Sequence, residues 1–334
     1  MIYVHVPFCS SFCTYCAFYS EICSEKVQNL FVSDLLSEIE RRRDETALTL
    51  GVNTLYIGGG TPSVLPVSQL RRIVDALSCG PYDEFTVEVN PEDVVTDGQD
   101  YLAALRDMGV NRISMGVQSF DDGILRWMGR RHDADGARHA FAMLREAGFD
   151  NISIDLISGI SGLSDLKWKE TLREALRLAP EHISAYQLSV EEGSKLAEMV
   201  DAQRYREADD EQCRRQYDVL CDILRQAGYH HYEISNFAIP GREAIHNSAY
   251  WRRVPYVGFG PSAHSLRGED RRSWNSCDLH GWTSEEEILS PEEIREERLM
   301  LGLRTDKGVD GKVIPEKDWF VSDLIIKNLI WPES

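Results

Sequence analysis

The chain has 334 residues, 43% of them hydrophobic, and a formal net charge of -19. That composition excludes wholesale disorder, and no apolar run reaches the roughly 18 residues a membrane helix needs. The acid excess argues against a nucleic-acid partner, because phosphate binding draws on clustered Lys and Arg.

Eight Cys are sparse for a disulfide framework, and the opening run MIYVHVPF reads as a strand rather than a charged leader followed by an apolar helix. A cytoplasmic protein with mostly reduced thiols is expected. From residue 1 to about 190, short β-rich runs alternate with longer amphipathic ones, the pattern of repeated βα units around a parallel sheet. Strands are predicted at Ile2 to Val6, Asn53 to Ile57, Glu84 to Val89, Arg112 to Met115, Ile152 to Ile157 and His182 to Leu188. Helices are predicted near Lys26 to Arg43, Val67 to Leu77, Gly98 to Met108, Ala134 to Ala147 and Leu166 to Leu178. The class is therefore α/β, and a barrel.

Cys9, Cys13 and Cys16 place three thiols within eight residues directly after the first strand. The spacing fits three corners of a 4Fe-4S cube and leaves the fourth iron without a protein ligand, where iron-sulfur sites normally use four thiolates. A zinc site remains the alternative, with Cys23 or His5 recruited as a fourth ligand, as does a chance grouping of ordinary thiols. Barrels of this kind gather their active groups at the carboxyl ends of strands. There the chain carries Gly58-Gly59-Gly60-Thr61-Pro62, Glu88-Val89-Asn90-Pro91, Gly116-Val117-Gln118-Ser119-Phe120 and Asp155. The glycines would let backbone N–H groups approach a ligand closely, the polar side chains suit ribose hydroxyls, and Arg130 has the fork for a carboxylate. Taken singly, each is also an ordinary polar residue at an element end, and Arg130 with Arg131 is also readable as a solvated pair.

The C-x3-C-x2-C run with Tyr15 before its third Cys resembles the radical S-adenosylmethionine (SAM) superfamily. The resemblance implies a radical SAM partial (β/α)6 barrel with one open side, and a cluster whose open iron chelates SAM and passes it an electron to start radical chemistry. GGGTP resembles the superfamily turn that binds the methionyl amino group. The order YVHVPFC, CTYCAF, IGGGTPS, VEVNPE, NRISMGVQSFDD, GRRH, IDLISG and YEISNFA resembles one branch over residues 1 to 265: oxygen-independent coproporphyrinogen III oxidase and the HemW heme chaperones. By that resemblance Tyr3, Tyr15, Gly59, Gly60, Thr61, Glu88, Gln118, Arg130 and Asp155 fall where the branch contacts SAM or substrate, and Cys9, Cys13 and Cys16 hold the cluster.

Two features lean toward the chaperones. Phe18 stands where the oxidase pattern carries a further Cys, and His246-Asn247-Ser248-Ala249-Tyr250-Trp251 resembles the chaperones' HNxxYW heme signature. Imidazole is a common axial ligand of heme iron, and aromatic rings supply flat apolar surface, so His246 is the axial candidate with Tyr250 and Trp251 beside the porphyrin. The competing expectation makes this segment a loop entering a strand, with His246 satisfied by a backbone carbonyl. His264 is a second ligand candidate; His230 and His231 read as structural, and Arg252-Arg253 as either a propionate partner or a solvated loop.

Residues 208 to 227 read as one amphipathic helix with Cys213 and Cys221 on a shared, packed face. After Trp282 the acidic run SEEEILSPEEIREERLMLGLR reads as helical, with Ser290-Pro291-Glu292-Glu293 as a helix start. The expected division is a barrel core at 1–190, an extension with the heme segment at 191–282, and a small, mostly helical C-terminal domain at 283–334 that looks short for the branch. The resulting expectation is a heme chaperone with a 4Fe-4S cluster, SAM and heme, an electron donor and an unidentified acceptor hemoprotein, enzymatic turnover being left open. The alternatives are SAM-dependent oxidative decarboxylation of coproporphyrinogen III and radical degradation of heme.

Overall fold

The computed structural model describes residues 1–46 and 51–331. Six strands lie side by side in sequence order and all parallel: β1 (Ile2–Val6), β2 (Thr54–Gly59), β3 (Glu84–Val89), β4 (Arg112–Gln118), β5 (Ile152–Ser158) and β6 (His182–Gln187). Helices cross between them, as parallel neighbours require. The hairpin β7 (His230–Glu233) and β8 (Asn236–Ala238) adds antiparallel to β6, and β9 (Val257–Phe259) adds parallel to β1 at the opposite edge. The two edges do not pair, so the barrel stays open.

Each of the six strands alternates apolar and polar residues, whereas a parallel strand covered on both faces is ordinarily apolar throughout. Residues two apart share a face. Val4, Leu55, Val87, Met115, Ile154 and Ile183 belong to the main hydrophobic core, into which the crossing helices send Phe31, Leu70, Leu102, Phe141, Trp168 and Leu220. The intervening residues, among them Tyr56, Glu88, Arg112, Asp155 and Ser184, line a cavity of about 1230 Å³ on the other face. The apolar layer thus lies between sheet and helices, and the barrel lumen is polar.

Most predicted elements fall within a residue or two of their observed limits. One helix runs over Pro91–Asp107, with Gly98 at φ 71 breaking it in the middle, so the predicted start at Gly98 marks the kink and not the N-terminus. The helix over 210–226 buries Cys213 and Cys221 together, as expected.

The acidic run after Trp282 is divided. Ser284–Ile288 is a strand, β12, in an antiparallel three-stranded sheet with β10 (His264–Arg267) and β11 (Arg271–Asn275), and the helix begins at Pro291 under a Ser290 capping box. Arg272 pairs with Glu287 across that sheet, Nε to Oε1 at 2.6 Å, which neutralises what reads as a solvated acidic helix. The expected boundary at 282 therefore cuts a sheet shared by both sides. Glu38, buried on the first helix, ties this sheet to the barrel by accepting from Gly260 N, Asn275 Nδ2, Trp282 Nε1 and Arg42 Nη1 at 2.8 to 3.0 Å. A second small core of Leu299, Leu303, Ile314, Trp319 and Ile326 closes the C-terminal helices.

Candidate functional site

The segment between β1 and the first helix is pinned by backbone hydrogen bonds. Cys9 N donates to Glu21 O at 3.0 Å, Glu21 N to Pro7 O at 2.7 Å, and Thr14 N to Met128 O at 2.9 Å. Cys9, Cys13 and Cys16 are partly exposed and line the mouth of the lumen at the carboxyl ends of the strands. Burial pushes the Cys16 thiol up, with Cys13 and Cys9 adding to the rise.

The glycine turn after β2 serves this loop. Gly60 N donates to Val6 O and Thr61 N to Phe8 O, at 2.9 and 2.7 Å. A Cβ at Gly60 would lie 2.6 Å from Phe8 O, a backbone atom, so only glycine lets the two segments meet. Gly59 sits at φ +115 and its N–H donates to Glu88 Oε2 at 3.1 Å. These N–H groups are therefore engaged within the protein rather than free for a ligand, which corrects the expectation for the turn.

Hydrogen bonds connect two of the cysteines through three strand ends. Cys9 Sγ lies 3.5 Å from Thr61 Oγ1, which accepts from Asn90 Nδ2 at 3.0 Å; either the thiol or the hydroxyl can donate between them, and toward a thiolate only the Thr61 hydroxyl can. Asn90 Oδ1 accepts from Arg130 Nη2, which also donates to Gly116 O at 2.6 Å, and Arg130 Nη1 reaches Cys13 Sγ at 3.4 Å. Asn90 was not singled out in the sequence as a site residue, although it is the first residue past β3, the position the barrel argument marks, and it stands at the N-cap of the following helix without a side-chain capping bond. Arg131 turns away to Glu92 and Asp93 at 3.2 and 2.7 Å, so the two arginines are not a solvated pair. Tyr15 stands among Arg130, Cys13 and Cys16.

Deeper in the lumen Tyr56 OH donates to Glu88 Oε1 at 2.6 Å. Burial raises the Glu88 carboxyl to about 7, Asp155 adding to the rise and the Tyr56 bond opposing it. Asp155 is raised in the same way, with Ser114 Oγ 3.4 Å from it. Gln118 has φ 68 beside a register shift between Gly116 and Gln118, and this bulge carries its side chain to the cavity. Tyr3 OH is held by His5 Nδ1 at 3.0 Å and does not line the cavity.

HNSAYW is a helix, Ile245–Trp251, and not a loop entering a strand. Its first N–H groups, of Ile245 and His246, donate to the Glu84 carboxylate at 2.8 and 2.9 Å. His246 is 1% exposed; Nδ1 meets Thr54 Oγ1 at 2.8 Å and Nε2 meets Tyr250 OH at 3.0 Å. Side chains, not a carbonyl, satisfy it. Burial, with the chain's amino terminus and Arg112 adding, lowers the ring to about 3, so it is neutral. Thr54 and Glu84 begin their strands, placing this helix about 17 Å below the cysteine turn at about 3.3 Å per residue. Asn247 lines the same cavity. The structure thus brings the cysteines, Tyr15, Thr61, Glu88, Gln118, Arg130 and Asp155 around one lumen, and sets His246 and Tyr250 at its far end, with Trp251 half-buried at the end of that helix.

The other histidines lie elsewhere. His264 is exposed on β10 near Trp274, and His230 pairs with Glu243 and Asp306. His231 stacks on Phe237 at 3.9 Å and gathers with Cys221 and Glu316, their donor atoms within 4.8 Å of one another. Arg253 pairs with Glu297 and Arg252 with its own helix. No helix among the described residues is long and apolar enough to cross a membrane.

Residues 3–175 match the radical SAM superfamily model. The chain is 34% identical over 339 residues to heme chaperone HemW of Bacillus subtilis, covering 94% of this chain and 86% of that protein. HemW of Synechocystis is 32% identical over 94% of this chain and 80% of its own length. The radical S-adenosyl methionine domain-containing protein 1 of Bos taurus mitochondria is 32% identical over 92% and 74%. Among solved structures, coproporphyrinogen III oxidase (HemN) from Escherichia coli, a radical SAM enzyme, superposes with a TM-score of 0.76 over 91% of this chain and 75% of that one, at 24% identity. That last likeness establishes the fold.

Proposed function

From a chain that belongs to the radical SAM superfamily and, within it, to the HemW heme-chaperone family, we propose a cytoplasmic carrier that binds heme and delivers it to an acceptor hemoprotein. In this reading Cys9, Cys13 and Cys16 hold a 4Fe-4S cluster. The donor set fits: three partly exposed thiols border one polar cavity, and Thr61 and Arg130 donate toward two of the sulfurs, which stabilises thiolate charge. When bound, the cluster with SAM supplies one-electron chemistry through an external electron donor. Tyr15, Gln118, Glu88, Asp155 and Arg130 orient SAM or substrate, while Gly59 and Gly60 border the same cavity and fix the cysteine loop, and Tyr3 acts from behind through His5. In this reading residues 1–190 form the barrel and the heme segment follows, with β12 kept beside β10 and β11 so that the small C-terminal unit begins at the Ser290 cap.

The observation that carries the heme assignment is the helix bearing His246, Tyr250 and Trp251, which closes the lumen beneath the cysteines and contributes Asn247 to its wall. Because both His246 nitrogens are engaged, iron ligation there requires the Tyr250 or Thr54 bond to open. Phe12 and Phe18, 57% and 75% exposed at the cavity rim, offer apolar surface to a flat macrocycle. Phe18 also stands where the oxidase pattern has Cys.

The test is anaerobic reconstitution with iron and sulfide, then titration with hemin followed by its Soret band in wild type and His246→Ala. Stoichiometric uptake that weakens in the variant is expected. Equal uptake by both would remove His246 from the site, and no uptake would end the chaperone reading.

A further inference from the structure

Arg112, at the start of β4, is 1% exposed and its side chain lines the lumen. Its Nε and Nη1 are buried and have no hydrogen-bond partner among the described residues. Such a cation is costly unless an anion meets it, because burial strips a guanidinium of its water and nothing replaces those hydrogen bonds. The carboxylates across the lumen are committed elsewhere: Glu88 to Tyr56 and Gly59, Asp155 to Ser114. Burial also holds both toward their neutral forms, against the pull of the nearby Arg112 charge, and neither forms a hydrogen bond with it. The imidazoles around the floor are neutral, His182 between Ser153 and Tyr232 and His246 between Thr54 and Tyr250. The protein therefore supplies Arg112 with a pocket but not with a hydrogen-bonded counter-charge.

The geometry points to Arg112 as the receptor of a ligand carboxylate on the lumen floor, a porphyrin propionate when heme occupies the cavity. A guanidinium fork presents paired N–H groups at the spacing of carboxylate oxygens. The second lumen cation, Arg130, is bound through both terminal nitrogens to Asn90, Gly116 and Cys13 at the mouth, with only its buried Nε unpartnered among the described residues. Gly116 lies four residues beyond Arg112, about 13 Å along the strand at about 3.3 Å per residue. One carboxylate cannot serve both arginines. SAM carries a single carboxylate, which the mouth receives beside the cysteines, whereas heme carries two, so the deeper arginine suits heme. The assignment rests on the proposed heme carrier, and its test has an arm that does not.

The test is equilibrium titration of the reconstituted full-length chain, in one detergent buffer, with hemin and with hemin dimethyl ester, for wild type, Arg112→Gln and Arg112→Lys. A parallel series uses SAM and decarboxylated SAM. Wild type is expected to prefer hemin over its ester by about ten- to a hundredfold, the worth of a charge-assisted pair. Arg112→Gln should erase that preference while leaving ester affinity unchanged, and Arg112→Lys should keep part of it. If Gln at this position prevents folding, the wild-type acid-against-ester ratio and the Lys variant decide the matter. Loss of preference for SAM over decarboxylated SAM in Arg112→Gln, with hemin unaffected, would keep the carboxylate receptor and name SAM as its source. Equal weakening of acid and ester, or no change in either series, would overturn the proposal. Wild type that binds SAM but no hemin would sink the heme carrier and leave Arg112 to the SAM arm.

Discussion

At the carboxyl ends of the strands, polar side chains stand around open space, whereas at the amino ends the His246 helix seals the same lumen with both of its imidazole nitrogens engaged. The mouth keeps its cysteines half-exposed and spends its hydrogen bonds on orientation, from Cys9 through Thr61 and Asn90 to Arg130 and Cys13. The floor spends its hydrogen bonds on closure, through Glu84, Thr54 and Tyr250. On the proposed carrier reading, a ready site and a closed one on the same strands divide the labour: the mouth would accept a small charged cofactor without rearrangement, and heme ligation at the floor would require opening it.

The largest expected effect is at the mouth. Cys13→Ser should abolish retention of iron after anaerobic reconstitution, read as iron and sulfide per chain, while the melting temperature of the cluster-free protein changes little. Retained cluster would break the assignment of the mouth.

The two ends should also respond oppositely to pH. Glu88 is raised from 4.5 to about 7, so its contribution to stability is present below about pH 4.5 and is lost as pH rises through 7, by about 3 kcal/mol in all. Glu88→Gln in the cluster-free protein should therefore match wild type more closely near pH 4 and exceed it at pH 8 in urea unfolding. His246 is lowered from 6.5 to about 3; its contribution is present above pH 6.5 and is lost as pH falls toward 3, and His246→Phe should flatten that acid slope. Parallel slopes in the two variants would contradict the contrast.

Smaller again, Glu84→Ala orphans two helix N–H groups at the floor and should cost about 1–3 kcal/mol by urea unfolding, with hydrogen exchange accelerated over 245–251 and unchanged over 9–16. Smallest, Arg131→Gln breaks a partly exposed ion pair with Glu92 and Asp93 and should change stability by less than about 1 kcal/mol with iron content intact, unlike Arg130→Gln, which should lower it.

The six strands were legible because short β-rich, mostly alternating runs are separated by amphipathic ones, and their order follows from parallel βα units. The meaning of the alternation was less visible: Tyr56, Arg112 and Ser184 look like ordinary strand residues until the sheet curls and turns them into one lumen. Thr61, Glu88 and Gln118 were singled out because strand ends can be located in sequence, the cysteines by their spacing and Arg130 by its guanidinium fork, and the structure sets all of them on one lumen. Asn90 and Arg112 were not singled out as site residues, the first because an Asn before Pro91 reads as a helix N-cap although its amide goes to Thr61 and Arg130 instead, the second because its lack of a partner is a three-dimensional property. The His246 helix is seven residues long, too short to show a 3.6-residue period, and it is held by Glu84, 162 positions away. β12 escaped because SEEEI gains strand character only from Arg271 and Arg272 opposite it.

The most direct test of the account is heme transfer itself: the anaerobically reconstituted chain is loaded with one equivalent of hemin, mixed with an apo-hemoprotein and separated, and heme is measured on both. The account expects heme to move to the acceptor, with no decarboxylation when coproporphyrinogen III, SAM and a reductant are supplied instead. Heme that is refused or never released, together with SAM-dependent release of carbon dioxide from coproporphyrinogen III, would contradict it and make the chain an oxidase.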